Sequence, residues 1–549
     1  MQKLTVASVR QKSIQPLNKL LVCVFAPLLL SISGWLSAAQ WTTQASVSVS
    51  EFYTDNVRLS QNSEADDFIT ELTTAFSVKA DGARIDVDFN YSVSYFDYKQ
   101  DDNLDDLRQA MRLSSSFNLI PNNLVLEVDS AITQQLISSR LQGSGSVVGS
   151  SNVLDTFTSS AEALWNSKLG NFAVLSASFE LNQVDYIAGS NSGGTSTFQS
   201  DSIGQKGRFV LANADELKRI FWSANYLDSR IDYETQEQAG EQSGSVTIGY
   251  RWDHVRVNAD AGWSRYRYLV SFGGAQPDND FTVLKATWTP SRKVSVGLFQ
   301  TVRNYSQGTL AADAKRKSVG GDITWNPSVR TSLQASTSNA FYGDSYGFSF
   351  THRTKKSNWF ANYSESVTDS RRLITSTGDF ISVCPIGSLT PFDPGCTPKL
   401  PNTNITAAVI EIPFRLSSSD ISGEEFISKN AVIGYSYSAA RTTIGWSLFQ
   451  TERIYLTSVR EEKDKGIRMN VTWNVGRFST VTLIANQTQR VFGDGTDGDF
   501  LSSDLVFNRK IGRKTSASIV LHVAENVDVS SNNSYSENHI RLQLTTSLN

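Results

Sequence analysis

Four histidines, two acidic stretches and three cysteines carry most of the reactive side chains in this chain of 549 residues. A nucleophilic hydrolase would need a Ser beside a His with an acidic or amide partner. His254 and His352 fall at expected short turns, His522 lies in an expected strand and His539 starts the last one, and none stands in a recognisable nucleophile motif. No His/Cys spacing of the metal-ligand type is present. The expectation is a protein that is not an enzyme and carries no cofactor.

The acidic stretches are "KQDDNLDDL" (99–107) and "FGDGTDGDF" (492–500). The second is faintly like one turn of a calcium-binding β-helix repeat, with Asp494, Asp497 and Asp499 as the carboxylates that could hold Ca²⁺. Such repeats bind by stacking and this one occurs once, so a solvated loop is favoured.

The compartment is written at the N-terminus. Lys3, Arg10, Lys12 and Lys19 precede the apolar run "LLVCVFAPLLL" (20–30), and "SAA" (37–39) supplies small residues before Gln40. This pattern reads as a secretory signal over 1–39, too short and too interrupted by Pro27 for a spanning helix. Cys23 would leave with it. Cys384 and Cys396 then remain in an oxidising compartment and are expected to form a disulfide.

The elements that must position these groups are strands. In "ARIDVDFNYSVSYFDY" (83–98), every second residue from Ile85 to Tyr95 is apolar, with Asp86, Asp88, Asn90, Ser92 and Ser94 between. The same alternation recurs to the C-terminus, as in "HVRVNADAGW" (254–263) and "HIRLQLTTSL" (539–548), without an amphipathic helix of useful length. The composition agrees: 40% hydrophobic yet 11% aromatic, with 18 Tyr, 11 Trp and 29 Phe. A formal net charge of −4 points to no nucleic-acid partner.

Short links such as "DG" (81–82), "PNN" (121–123) and "PS" (290–291) alternate with long polar ones such as 136–154, 187–203 and the longest, about 368–425. Short turns on one side and long loops on the other describe a single transmembrane antiparallel β-barrel of about 24 strands (22–26) over residues 40–549. In lipid the alternation is a physical requirement: backbone groups must be paired without a free edge, outward side chains must be apolar and the lumen stays wet. The inward positions are then polar and mixed in sign: Arg84, Asp86, Asp88, Arg108, Arg112, Glu127, Asp129, Arg256 and Asp260. Aromatics near strand ends, Trp165, Trp222, Trp288, Trp325 and Trp473 among them, fit interfacial girdles.

"SEFYTDNVRL" (50–59), the repeated turns "TWTPS" (287–291) and "TWNPS" (324–328), and "FYGDSYGFSFTHRTKKSNWFANYSESVTDSR" (341–371) resemble the PEP-CTERM system-associated outer-membrane protein family. The resemblance spans most of the chain after the signal and implies a place in the outer membrane of a Gram-negative bacterium, beside exosortase and exopolysaccharide systems. The partners it implies are an exported polysaccharide and periplasmic or inner-membrane export components. A barrel also needs outer-membrane lipid and the barrel assembly machinery. Two functions compete: a conduit for exported polymer, and a general diffusion porin or structural barrel.

The link pattern fixes an orientation. An epitope inserted near Ser146 or Ser192 is expected to be labelled on intact cells and one at Asn122 to be protected; the reverse pattern would invert the topology.

Overall fold

In the computed structural model the alternation at 85–95 is the third strand of a closed barrel. The structure describes residues 39–62, 64–136, 153–187, 201–213, 219–234, 238–267, 278–306, 315–340, 343–369, 380–385, 397–398, 409–414, 425–455, 460–528 and 534–548. The expected signal with Cys23, the labelling positions Ser146 and Ser192, and Cys396 lie outside the described residues.

The first wall is β1 (Gln40–Thr54), β2 (Asp67–Asp81), β3 (Ile85–Tyr98), β4 (Asp106–Ile120), β5 (Leu124–Leu136), β6 (Val153–Leu169), β7 (Ala173–Ile187) and β8 (Ser202–Asn213). It continues through β9 (Ile220–Tyr233), β10 (Ala239–Arg251), β11 (Val255–Arg267), β12 (Asp278–Ser291), β13 (Val294–Ser306), β14 (Lys315–Ser328), β15 (Thr331–Ala340), β16 (Gly343–Arg353) and β17 (Ser357–Asp369). Three short strands, β18 (Phe380–Pro385), β19 (Thr397–Pro398) and β20 (Val409–Phe414), form a separate small sheet within the long link expected at 368–425. The barrel resumes with β21 (Glu425–Ser438), β22 (Thr442–Tyr455), β23 (Glu461–Asn474), β24 (Ser479–Val491), β25 (Asp497–Lys510), β26 (Thr515–Asp528) and β27 (Tyr535–Ser547). Each barrel strand pairs antiparallel with its neighbours, and β1 pairs with β27 from Ser46↔Ser547 to Thr54↔His539, closing a 24-stranded ring.

Register decides which face is which. Val49, Leu72 and Tyr95 form one cross-strand row at 45%, 46% and 44% exposure, whereas the adjacent row Ser48, Thr73 and Ser94 lies at 3%, 1% and 1%. The oily face therefore looks outward and the hydroxyls line the lumen. The same outward belt runs across β24–β27 as Leu483↔Leu505↔Leu521↔Ile540. Of the expected lumen residues, Asp86 and Asp88, Arg108 and Arg112, Glu127 and Asp129, and Arg256 and Asp260 share the hydroxyl-bearing parity of β3, β4, β5 and β11. Arg84 differs: it sits in the turn before β3, where strand alternation assigns no face.

The two rims differ. One carries short turns at 82–84, 121–123, 170–172, 252–254, 292–293 and 329–330, and Trp41, Trp165, Trp252, Trp288, Trp325, Trp359 and Trp473 all stand close to it. The repeated Thr-Trp turns explain themselves locally. Pro290 and Pro327 each fall where the ladder shifts register, between Trp288 and Ser291 and between Trp325 and Ser328, the bulged positions at which a missing N–H is tolerated. Ser291 and Ser328 then accept the backbone N–H groups of Lys293 and Arg330, both at 3.2 Å.

The other rim carries the long links, with one departure: β15 and β16 are joined there by two residues, 341–342. Strands also run further towards this rim than composition suggests. Residues 239–243, polar in composition, pair in β10, and Asp497 and Asp499, expected in a solvated loop, pair in β25, because a ladder can continue beyond the lipid where outward residues become polar.

Five lumen-facing phenylalanines lie directly opposite glycines: Phe221↔Gly249, Phe281↔Gly262, Phe299↔Gly320, Phe360↔Gly434 and Phe449↔Gly466. A Cβ on Gly262 would stand 2.6 Å from Phe281 Cζ, so the ring occupies the space a side chain would need.

The sidedness is testable on one strand. Leu521→Arg, mid-strand on the lipid face, is expected to cost about 2–4 kcal/mol and deplete the heat-modifiable folded form, while Ser518→Arg on the lumen face is tolerated. Equal behaviour of the two variants on a semi-native gel would contradict the assignment of faces.

Candidate functional site

Ionisable side chains gather on the lumen face of β22–β27 and β1–β4, towards the long-link rim. The first group is centred on Arg453, 2% exposed, whose guanidinium donates to Glu462 at 3.3 Å and to Asp464 at 3.0 Å. Asp464 also accepts from Arg490, and Tyr455 Oη donates to Glu462 at 3.0 Å. Register makes this possible: Arg453 opposes Glu462, and Asp464 opposes Arg490. Two guanidiniums against two carboxylates offset the desolvation that a single buried charge could not survive.

The second group spans the closing strands. Asp504 on β25 is paired with His522 Nδ1, His522 lies opposite His539 with their rings stacked 4.5 Å apart, and His539 Nδ1 is 3.3 Å from Glu537. Thr54 Oγ1 donates to Glu537 across the seam at 3.2 Å. The third group follows on β1–β3: Glu71 accepts from Arg541, from Ser50 at 2.8 Å and from Thr73 at 2.8 Å.

The link 55–66 folds down onto this wall. Val57 packs with the inward Ile69, Phe96 and Tyr98, while Leu59, at φ 51°, packs with Phe500, Ala524 and Tyr535. Asn56, 1% exposed, donates to the carbonyls of Ser60 and Ser536 at 3.0 and 2.9 Å. Asp55 takes the backbone and side-chain N–H groups of Asn538, both at 2.8 Å. Arg58 bridges to Asp101 on the next long link, and that hydrogen bond holds the Asp101 carboxyl below the usual carboxylate range. The stretch "SEFYTDNVRL" is thus the strand end and loop that fasten β1 to β27 and cover the wall beside them.

Elsewhere the lumen is more mixed. Glu127, Glu162 and Glu180 form one acidic cross-strand row ending at Lys206, 3.3 Å from Glu180. Arg256 stands over the Phe221 ring at 5.4 Å, and Arg303 over that of Phe281 at 5.8 Å. A polar lining of hydroxyls, amides and both signs of charge, enclosed by an apolar outer belt, is what a closed sheet set in lipid requires. The protein is an outer-membrane β-barrel.

No family model and no curated protein matches the chain. Among solved structures, it is similar to the FrpB iron transporter from Neisseria meningitidis, at 9% identity, TM-score 0.44, over 92% of this chain and 82% of that one. A variant of the ferric enterobactin receptor from Pseudomonas aeruginosa gives 8% identity and TM-score 0.43 over 93% and 81%. A loop-deletion variant of OmpT, an outer membrane protein of Vibrio cholerae, gives 8% and 0.29 over 93% and 99%.

The remaining expected residues are dispersed. Asp494 lies in the turn 492–496, accepting from Thr496 N and Oγ1 at 3.0 and 2.6 Å, while Asp497 and Asp499 share the outward parity of β25. Cys384 is in β18; its expected partner Cys396 lies outside the described residues. His254 is in a turn as expected, but His352, expected at a turn, is paired within β16, and His539 is the fifth residue of β27 rather than its first. Arg453, Asp464, Arg490, Asp504, Glu71 and Arg541 escape a reading of the sequence alone. Their one local signal is parity, each falling in step with inward Ser, Thr or Asn neighbours.

Removing Arg453 takes the guanidinium shared by Glu462 and Asp464, two residues apart on β23, and leaves Asp464 to Arg490 and Glu462 to Tyr455 and Arg460. Arg453→Met is expected to lower stability by about 1–3 kcal/mol, seen as a lower urea midpoint of the heat-modifiable band, and adding Glu462→Gln recovers part of the loss.

Proposed function

We propose that this barrel is a conduit or accessory for exopolysaccharide export and envelope assembly, acting without catalysis, with an exported polysaccharide and periplasmic or inner-membrane export components as its partners. The observation that carries the reading is the lumen lining. Along described strands all round the ring, inward positions are dominated by Ser, Thr, Asn and Gly, punctuated by Phe rings seated on glycines and by charges of both signs. Hydroxyls and amides exchange hydrogen bonds with sugar hydroxyls at little net cost. Mixed charge disfavours a selective ion path. Twenty-four strands exceed the 16–18 that already leave an aqueous channel. The resemblance of the "SEFYTDNVRL" and Thr-Trp turn motifs to barrels that accompany exosortase and exopolysaccharide systems points the same way.

A deletion strain tests this. Secreted polysaccharide is expected to fall sharply and recover on complementation, while uptake of small hydrophilic solutes is unchanged. Undiminished polymer with reduced small-solute permeability would replace the conduit with a diffusion porin.

A further inference from the structure

We infer that His522, Glu537 and His539 form a binding site for one divalent first-row transition-metal ion, such as Zn²⁺, in the lumen wall of β26 and β27. This goes beyond the proposed conduit and does not depend on it.

The donor set is built by register. His522 on β26 lies directly opposite His539 on β27, and Glu537, two residues before His539, shares its inward face. One donor atom from each of the three side chains comes within 4.8 Å of the others. A tetrahedral ion with bonds of about 2.0–2.2 Å separates its ligands by roughly 3.3–3.6 Å, so each side chain closes by less than about 1 Å. All three belong to adjacent strands of one ladder, which keeps that adjustment within side-chain torsions.

A second observation points to a ligand. His522 is 3% exposed, its Nδ1 is engaged by Asp504, and its Nε2 is buried without a hydrogen-bond partner. A carboxylate on one imidazole nitrogen fixes the tautomer and orients the other nitrogen as a donor, the arrangement that supports metal-bound histidines. Buried ring nitrogens rarely stay unsatisfied. Glu537 is oriented in turn by Thr54 Oγ1 at 3.2 Å, so the site is braced from β25 on one side and from β1 across the seam on the other.

Two imidazoles and one carboxylate select among metals. They suit Zn²⁺, Ni²⁺ or Cu²⁺, whereas Ca²⁺ and Mg²⁺ require more oxygen donors. Three protein ligands leave a further coordination position for water or for a group in the lumen.

The test uses the full-length barrel, purified without a polyhistidine tag, folded in detergent and stripped with a chelator. Zn²⁺ titrated by calorimetry is expected to bind at one equivalent per barrel, undisturbed by millimolar Ca²⁺. His522→Gln with His539→Gln is expected to abolish that event, and Asp504→Asn, a positioning change, to weaken it about 10–100-fold at unchanged stoichiometry. Cu²⁺ bound to the wild-type barrel should show hyperfine coupling to two nitrogens by electron paramagnetic resonance, a readout independent of whether the variants fold. Absence of saturable Zn²⁺ binding by the wild type, or binding unchanged in a folded double variant, overturns the site and leaves a stacked histidine pair closing the wall.

Discussion

A sheet in lipid has nowhere to leave an unpaired peptide group, and everything else in this protein follows from satisfying that condition. Twenty-three strand pairs form between neighbours along the ring, but the last, β1 with β27, joins residues almost 500 positions apart. Here the chain entropy opposing contact is greatest. It is also here that side-chain chemistry is densest: Thr54 to Glu537, Asp55 to Asn538, Arg541 to Glu71, and Gln543 to Ser48 all cross or adjoin the seam. Most of these contacts are on the lumen side, where water and polar neighbours make hydrogen-bonding groups compatible with burial.

The same condition explains how much could be read from the sequence. Once one face must meet lipid and the other water, the inward or outward identity of a residue is a matter of odd and even, and the chain displays that arithmetic openly, as at Ile85–Tyr95. Asp88, Arg112, Glu127 and Asp260 could be given a face, and the links could be counted to about 24 strands. Strand ends were less legible. At Ala239–Ser243 and Asp497–Asp499 the ladder outlasts the membrane, so loop-like composition there coexists with regular pairing.

Pairing between strands was the part that parity could not supply. His522 and His539 are in register only because the link between β26 and β27 has the length it has, and Asp504 reaches His522 through a second such register. The separate requirement that Glu462 and Asp464 meet Arg453 and Arg490 is likewise written in two strand registers, β22 with β23 and β23 with β24, rather than in any local motif. "SEFYTDNVRL" shows the opposite balance: visible as a motif, but intelligible only when the far end of the chain is placed against it, since Asn56 and Leu59 meet residues 500–536.

The phenylalanine–glycine pairs have a consequence for anything that moves through the barrel. A ring standing free of the wall would narrow the bore and offer a deep, sticky ledge; a ring seated on the bare backbone of the next strand is nearly flush with it. At these positions the wall has low relief. Five such inlays, on β9–β10, β11–β12, β13–β14, β17–β21 and β22–β23, recur around the circumference between hydroxyl-bearing positions. A hydrated chain sliding past would meet many shallow holds of similar depth, and motion over such a surface resembles slip along a smooth tube more than escape from a series of traps.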